Sequence, residues 1–256
     1  MSPLPRWLGL PQAARPGRAR RSSPDDGAVS LTRGQLRTAW QAVSLLVGYP
    51  GDELRAQLPA LRSAIAELPA EVGVPLGRLV EHLEKSGSAA EIDYIDTFDW
   101  TRKCSLFLTY YAFGDTRKRG VALVRFKQAY RRCGMEIGDD ELPDHLSVVC
   151  EFGAFGDLDV AWRLLVEHRA GLEMLRLALT DRESPWVDAI DALCATLPPL
   201  DGEGREAVAR LLADGPPGED VGLDAYALDP SLNDHEAVFS DGSEFLGMPQ
   251  TTGVRS

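Results

Sequence analysis

Residues able to do chemistry are spread thinly along this chain. Four histidines, His82, His145, His168 and His235, share no spacing that would set two of them on one metal ion. Four cysteines, Cys104, Cys133, Cys150 and Cys194, are never closer than 17 positions, so no CxxC pair exists for metal or redox work. Each lies in an apolar stretch, the pattern of buried free thiols in a reducing compartment. The chain has no GxxxxGK[ST] phosphate loop, no HExxH and no GxSxG. A di-iron helical bundle needs two Glu-x-x-His pairs, and there are none. His168 falls on an apolar stripe, which predicts a core histidine rather than a base or a ligand. Glu91, Asp93, Asp96 and Asp99 cluster beside Tyr94 and Phe98. Without a His or Cys they read as a solvated or Arg-paired face, with Arg102 one turn from Asp99.

Charge is patterned more sharply than catalytic groups are. The 256 residues hold 27 Lys and Arg against 39 Asp and Glu, a net charge of −12. That balance suits poorly a general nucleic-acid binder, which must neutralise phosphates. Nine basic residues and only Asp115 occur from Arg102 to Arg132, and eight carboxylates with no Lys or Arg from Glu136 to Asp159. Two readings stay open: solvated faces that pair with each other, or a dipolar surface that steers a charged peptide or protein. Residues 1–33 carry six Arg against Asp25 and Asp26. No apolar run follows Arg20-Arg21, so the pair does not read as an export signal. The strongly apolar stretches, such as Leu106–Phe113, reach only about eight residues where a membrane span needs about 20.

The elements that must position these groups are helical. Thr32-x-x-Gln35 predicts a capping box, followed by Leu36, Trp40, Val43 and Val47 on one face. Leu54, Leu58, Leu61, Ile65 and Leu68 predict a second helix, with a kink or break at Pro59. Leu76, Leu79, Val80 and Leu83 predict a short third helix with Pro75 in its first turn. Ser88-x-x-Glu91 reads as a second capping box, opening a stretch through Phe98 that continues or restarts through Tyr111. A long helix is expected from Thr116 to about Cys133, with Gly134 just past its end. Pro143 is expected to open the next helix, through Phe152. One stripe through Ala161, Leu165, His168, Leu172, Leu175 and Leu179 follows, then a helix led by Ser184-Pro185 and a last one from about Arg205 to Ala213. No segment alternates as a strand does. The expectation is all-α: one domain of roughly nine helices over 32–213, behind a disordered Arg/Pro/Gly-rich leader at 1–31. Residues 214–256 hold nine carboxylates and one Arg. They read as a mostly disordered acidic tail, with Leu223, Tyr226, Leu228, Phe239 and Phe245 as spaced anchors.

The stretch from Glu91 to Ala154 carries a resemblance. TFD at 97–99, LTYY at 108–111, GDTRKRG at 114–120, ELPDHL at 141–146 and EF at 151–152 occur in linked order, preceded by LLVGYP at 45–50. In these pieces the chain closely resembles the assembly chaperones of respiratory nitrate reductase, the delta subunit or NarJ family. The resemblance implies a cytoplasmic protein of the TorD-like all-α fold, neither an enzyme nor the holder of a cofactor of its own. It further implies a partner: the N-terminal segment of the catalytic (alpha) subunit, held competent for molybdenum cofactor insertion. Neither nucleic acid nor stable membrane association is implied. The candidate client-binding residues are Tyr94, Phe98, Tyr110, Tyr111, Arg117, Arg119, Pro143, Asp144, His145, Glu151 and Phe152. Pro143 would fix a helix start and aim Asp144 and His145 at a neighbouring surface, Tyr110 and Tyr111 would offer amphipathic rings, and Arg117 and Arg119 would pair with carboxylates of the domain or the client. Core tyrosines, a Pro-Asp cap and structural Arg pairs are the competing roles. The rival functions are a chaperone for another molybdoenzyme, such as a dimethyl sulfoxide reductase, and an all-α nucleic-acid-binding regulator using the 102–132 basic run.

Overall fold

The structure, a computed structural model, describes residues 29–138 and 141–215. All but a few residues of the expected leader and acidic tail lie outside that range. Among the described residues the fold is all-α, with eleven α-helices where roughly nine were expected. They are α1 (Arg33–Leu46), α2 (Asp52–Ile65), α3 (Ala70–Ser86), α4 (Ala89–Tyr94), α5 (Leu108–Phe113) and α6 (Arg117–Arg132), then α7 (Leu146–Phe155), α8 (Leu158–Glu167), α9 (Arg169–Asp181), α10 (Val187–Ala195) and α11 (Gly202–Asp214). A π-helical turn (Ile95–Asp99) and a 3₁₀ turn (Arg102–Cys104) join α4 to α5.

The core is built around α1, whose Ala39, Trp40, Ala42, Val43 and Leu46 are fully buried against α7, α3 and α10. Its expected capping box forms: Thr32 accepts from the Gln35 amide while the Gln35 side chain accepts from the Thr32 amide. Helix α7 comes so close to α1 that a Cβ on Gly153 would lie 2.3 Å from the Trp40 ring. Arg37 of α1 then reaches the carbonyls of Gly153, Ala154 and Gly156, satisfying acceptors that the end of α7 leaves open. The other end of α1 is closed by aromatics: the Tyr94 hydroxyl donates to the Val47 carbonyl at 3.1 Å and the Trp186 indole to the Leu46 carbonyl at 3.0 Å.

Several local expectations are corrected. Of the kink or break expected at Pro59, the break does not occur: helix α2 continues through it, with Pro59 exposed while Leu54, Leu58, Leu61 and Ile65 stay buried. Helix α3 is 17 residues long and starts at Ala70, leaving Pro75 in its second turn; burial of Val72 extends it toward Pro69. Ser88 adopts helical angles and caps nothing, because Glu91 is turned onto Arg55 and Tyr49. The stripe from Ala161 to Leu179 breaks at His168 into α8 and α9. Helix α7 starts at Leu146, three residues after Pro143, with the His145 ring as its cap, accepting from the Ser147 amide at 3.3 Å. Pro185 likewise precedes α10, which begins at Val187. The end of α6 follows the sequence closely. Gly134 has φ of +76°, and the Gly134 and Met135 amides return to the Arg131 and Tyr130 carbonyls.

Candidate functional site

Five of the eleven candidate residues, Arg119, Pro143, Asp144, His145 and Phe152, converge on an interior polar knot. Its centre is Asp144, a fully buried carboxyl. One of its oxygens, Oδ2, accepts from the Thr109 amide at 3.2 Å and the Thr109 hydroxyl at 2.5 Å. The Arg119 Nε–H donates to that same hydroxyl at 3.2 Å, and Arg119 Nη2 lies 3.7 Å from Asp144 Oδ2. The guanidinium sits 5.1 Å above the Phe107 ring, and Phe107 meets the His145 ring edge-on at 5.2 Å. Backbone bonds tie the same strands of chain: the Leu108 amide donates to the Asp144 carbonyl and the Leu146 amide to the Leu106 carbonyl. The Tyr130 hydroxyl closes the knot on the Pro143 carbonyl at 2.7 Å, and the Phe152 ring packs 4.4 Å from Tyr130. Burial pushes the Tyr130 hydroxyl far above the usual phenol range and holds His145 below the usual imidazole range, Asp144 partly opposing the latter.

A second group is aromatic. Tyr94 lies 4.8 Å from Phe98 and 5.6 Å from both Tyr49 and Trp186, ring centre to ring centre. Its buried face and its bond to α1 make it a core residue, and Phe98 is half-buried beside it. Tyr111 is also buried, its hydroxyl 3.0 Å from the carbonyls of Lys103 and Ser105. Tyr110 is half-buried, edge-on to Tyr111. Arg117 and Glu151 are exposed. Asp144 and His145 thus point into the molecule and not at a neighbouring surface, because the turn at Pro143 is itself buried. His168 is half-buried at the α8–α9 junction. It bonds the Leu164 carbonyl at 2.9 Å and is held below the usual imidazole range by burial. Of the basic and acidic runs, the only pair formed between them among the described residues is Arg119 with Asp144.

The open surface lies behind the knot. Helix α5, the α8–α9 junction, the 198–201 loop and α11 surround a groove of about 1030 Å³. Its apolar lining includes Leu108, Tyr111 and Ala112 from α5, Gly171 from α9, Pro198 and Pro199 from the loop, and Ala207 and Leu211 from α11. The same lining holds the charged residues Glu167, Asp201, Glu203, Glu206 and Asp214 with Arg169 and Arg210, of which Arg169 is also paired with Glu173 at 3.3 Å. Asp201 caps α11 by accepting from the Gly204 amide at 2.7 Å, which sets that wall in place. The volume lies at the upper end of the roughly 300–1,000 Å³ typical of small-molecule sites. Among the described residues, no three His, Cys, Asp or Glu side chains gather as metal ligands. Nor, among them, is any helix long and apolar enough to cross a membrane.

A family profile, that of the nitrate reductase delta subunit, matches residues 65–192, half of the chain. The chain belongs to the nitrate reductase delta subunit family. It is 35% identical over 158 residues to the nitrate reductase-like protein NarX of Mycobacterium tuberculosis, covering 61% of this chain and 24% of that one. The chain thus spans about a quarter of the length of that relative. It is 29% identical over 160 residues to the probable nitrate reductase molybdenum cofactor assembly chaperone NarJ of Bacillus subtilis, covering 62% and 87%. To the NarJ assembly chaperone of Escherichia coli it is 32% identical over 155 residues, covering 59% and 66%. Within this delta subunit member the knot falls inside the matched span, whereas the 198–201 loop and α11 fall outside it. Apart from Tyr111, the groove lining was missed by sequence reasoning. Its available signals were the Pro198-Pro199 pair and the thin apolar stripe of α11, Val208 and Leu211.

Proposed function

We propose that this protein is an assembly chaperone that binds the N-terminal segment of the apo catalytic subunit of a nitrate reductase. It acts in the cytoplasm, through its helical domain at 32–213. It holds that subunit competent for molybdenum cofactor insertion, making and breaking no covalent bond. The observation that supports the reading is the groove between α5, α9 and α11, lined by apolar residues together with five carboxylates and two Arg, and of a size to take a short helical segment. Apolar contact supplies most of the affinity. Burying one large apolar side chain contributes about 1.5–3 kcal/mol, while an exposed ion pair contributes about 0–1 kcal/mol and is screened by salt. Two or three anchors therefore outweigh ordering costs of about 2–5 kcal/mol. The carboxylates of the lining select segments that carry cations beside those anchors.

In this reading the five candidate residues of the knot act at one remove. Thr109 ties α5 to Asp144, and α5 in turn presents Leu108, Tyr111 and Ala112 to the groove. The family membership and the named chaperone relatives support the client class. The test is genetic and chemical: delete this protein and measure the catalytic subunit. It should remain present but lack molybdenum cofactor and nitrate-reducing activity. Normal cofactor content in the deletion strain would remove the assignment.

A further inference from the structure

The outer face of α6 departs from the usual pattern of a solvated helix, although Arg131 and Arg132 suit the dipole at its C-terminal end. Its sixteen residues include seven cations and no carboxylate. Three of those cations, Arg117, Lys118 and Arg119, occupy the first turn, where the helix dipole favours negative charge. The N-cap Thr116 makes no side-chain cap bond. Apart from Arg119, no α6 cation forms an ion pair among the described residues. Arg117, Val121, Val124, Gln128 and Arg131 are all exposed. They fall at i, i+4, i+7, i+11 and i+14, within about 40° of one line and about 21 Å long. Val121 is 61% exposed and Val124 51%. Lys118, Arg125 and Arg132 run parallel on one flank, also exposed. Among the described residues the helix therefore carries like-charge repulsion relieved by ion pairs only at Arg119, and a bare valine pair.

From this we infer that α6 is a docking face for an acidic amphipathic helix of a protein partner. An apolar pair on the partner covers Val121 and Val124, and its carboxylates meet the cations at both ends and along the flank. Such a partner offsets each local cost at once: the repulsion, the mismatch with the dipole and the exposed valines. A phosphate backbone would meet the cations but leave the valines bare, and the net charge of −12 would repel it at longer range. The inference does not depend on the client groove, whose lining includes no residue of α6.

The probe is a labelled 15-residue helical peptide with Leu at i and i+3 surrounded by Glu, followed by fluorescence anisotropy. A second peptide carries Lys in place of Glu, and a 15-base-pair DNA duplex is the third. Two surface variants of the full chain are compared with it: Val121→Ser with Val124→Ser, and Arg117→Glu with Arg125→Glu and Arg131→Glu. Circular dichroism checks that each keeps its helix content. The Glu peptide should bind the unmodified chain and lose at least about ten-fold in affinity in each variant, with the Lys peptide silent. Absent binding of the Glu peptide, equal binding by both variants, or equal binding of the Lys peptide would overturn the proposal. Tighter binding of the duplex than of the Glu peptide would overturn it in favour of nucleic acid.

Discussion

The polar knot and the groove share α5 and differ in almost everything else. The knot is buried, charged and built from residues with distinctive side chains: Thr109, Arg119, Asp144 and His145. The groove is open and lined by small or apolar residues such as Ala112, Gly171, Pro198 and Ala207. One region fixes the position of a wall, and the other uses the wall. Of the residues that stand out in the sequence, Asp144 and Thr109 are buried in the knot, while Tyr111 lines the groove. A mutation in the knot should act through stability, and a mutation in the groove through binding.

The largest effect is expected at the knot. Asp144→Ala strips Thr109 and Arg119 of a buried partner, which typically costs about 3–5 kcal/mol. For a domain of this size each kcal/mol lowers Tm by about 2–4 °C. Thermal unfolding should show a drop of roughly 6–20 °C, with client binding lost only as a consequence. Arg119→Lys keeps the charge but not the planar group that spans Thr109 and Phe107. A loss of about 1.5–3 kcal/mol is expected from denaturant titration, in line with hydrogen bonds to charged groups. A loss as large as that of Asp144→Ala would mean the guanidinium fork matters more than the carboxyl.

The groove should behave in the opposite way. Ala207 is half-buried on α11 and lines the groove. Ala207→Trp fills space without removing a core contact, so stability should stay within about 0.5 kcal/mol. Affinity for the client's N-terminal peptide, measured by titration calorimetry, should fall at least about ten-fold. A large fall in Tm with unchanged affinity would reverse the comparison.

A smaller effect concerns pH. His145 and His168 are both held below the usual imidazole range by burial. Between the folded and unfolded pKa values the unfolded chain binds more protons, so stability rises with pH there. Stability should therefore be full above the unfolded value, near 6.5, and decline as pH falls below it toward the folded values. Tm measured from pH 7.5 to 5 should fall, and His168→Gln should flatten part of the slope. A Tm that rises on acidification would contradict this burial account.

Much of this fold was legible. The Thr32 capping box, the Gly134 helix end and the α-helical class follow from side-chain types acting within a few residues. The misreadings are of tertiary origin. Pro59 and Pro75 are strong local breakers, yet burial on the opposite faces of α2 and α3 carries both helices through them. The stripe from Ala161 to Leu179 is continuous in apolar pattern, but the chain turns at His168, whose angles leave the helical region. At the site, the resemblance marked residues whose side chains converge over long sequence separations, as Thr109 does with Asp144. It marked Leu108 and Tyr111 of the groove but not the α11 wall, where Ala207 and Leu211 alternate with charged residues as on any surface helix.

Hydrogen exchange on the full chain, with and without the N-terminal peptide of the catalytic subunit, tests the central claim most directly. The account predicts slowed exchange in the groove walls, at 108–112, 166–171 and 198–215, with little change in α2 and α3. Tight peptide binding that leaves those three segments unprotected, or that protects a different surface, would contradict it.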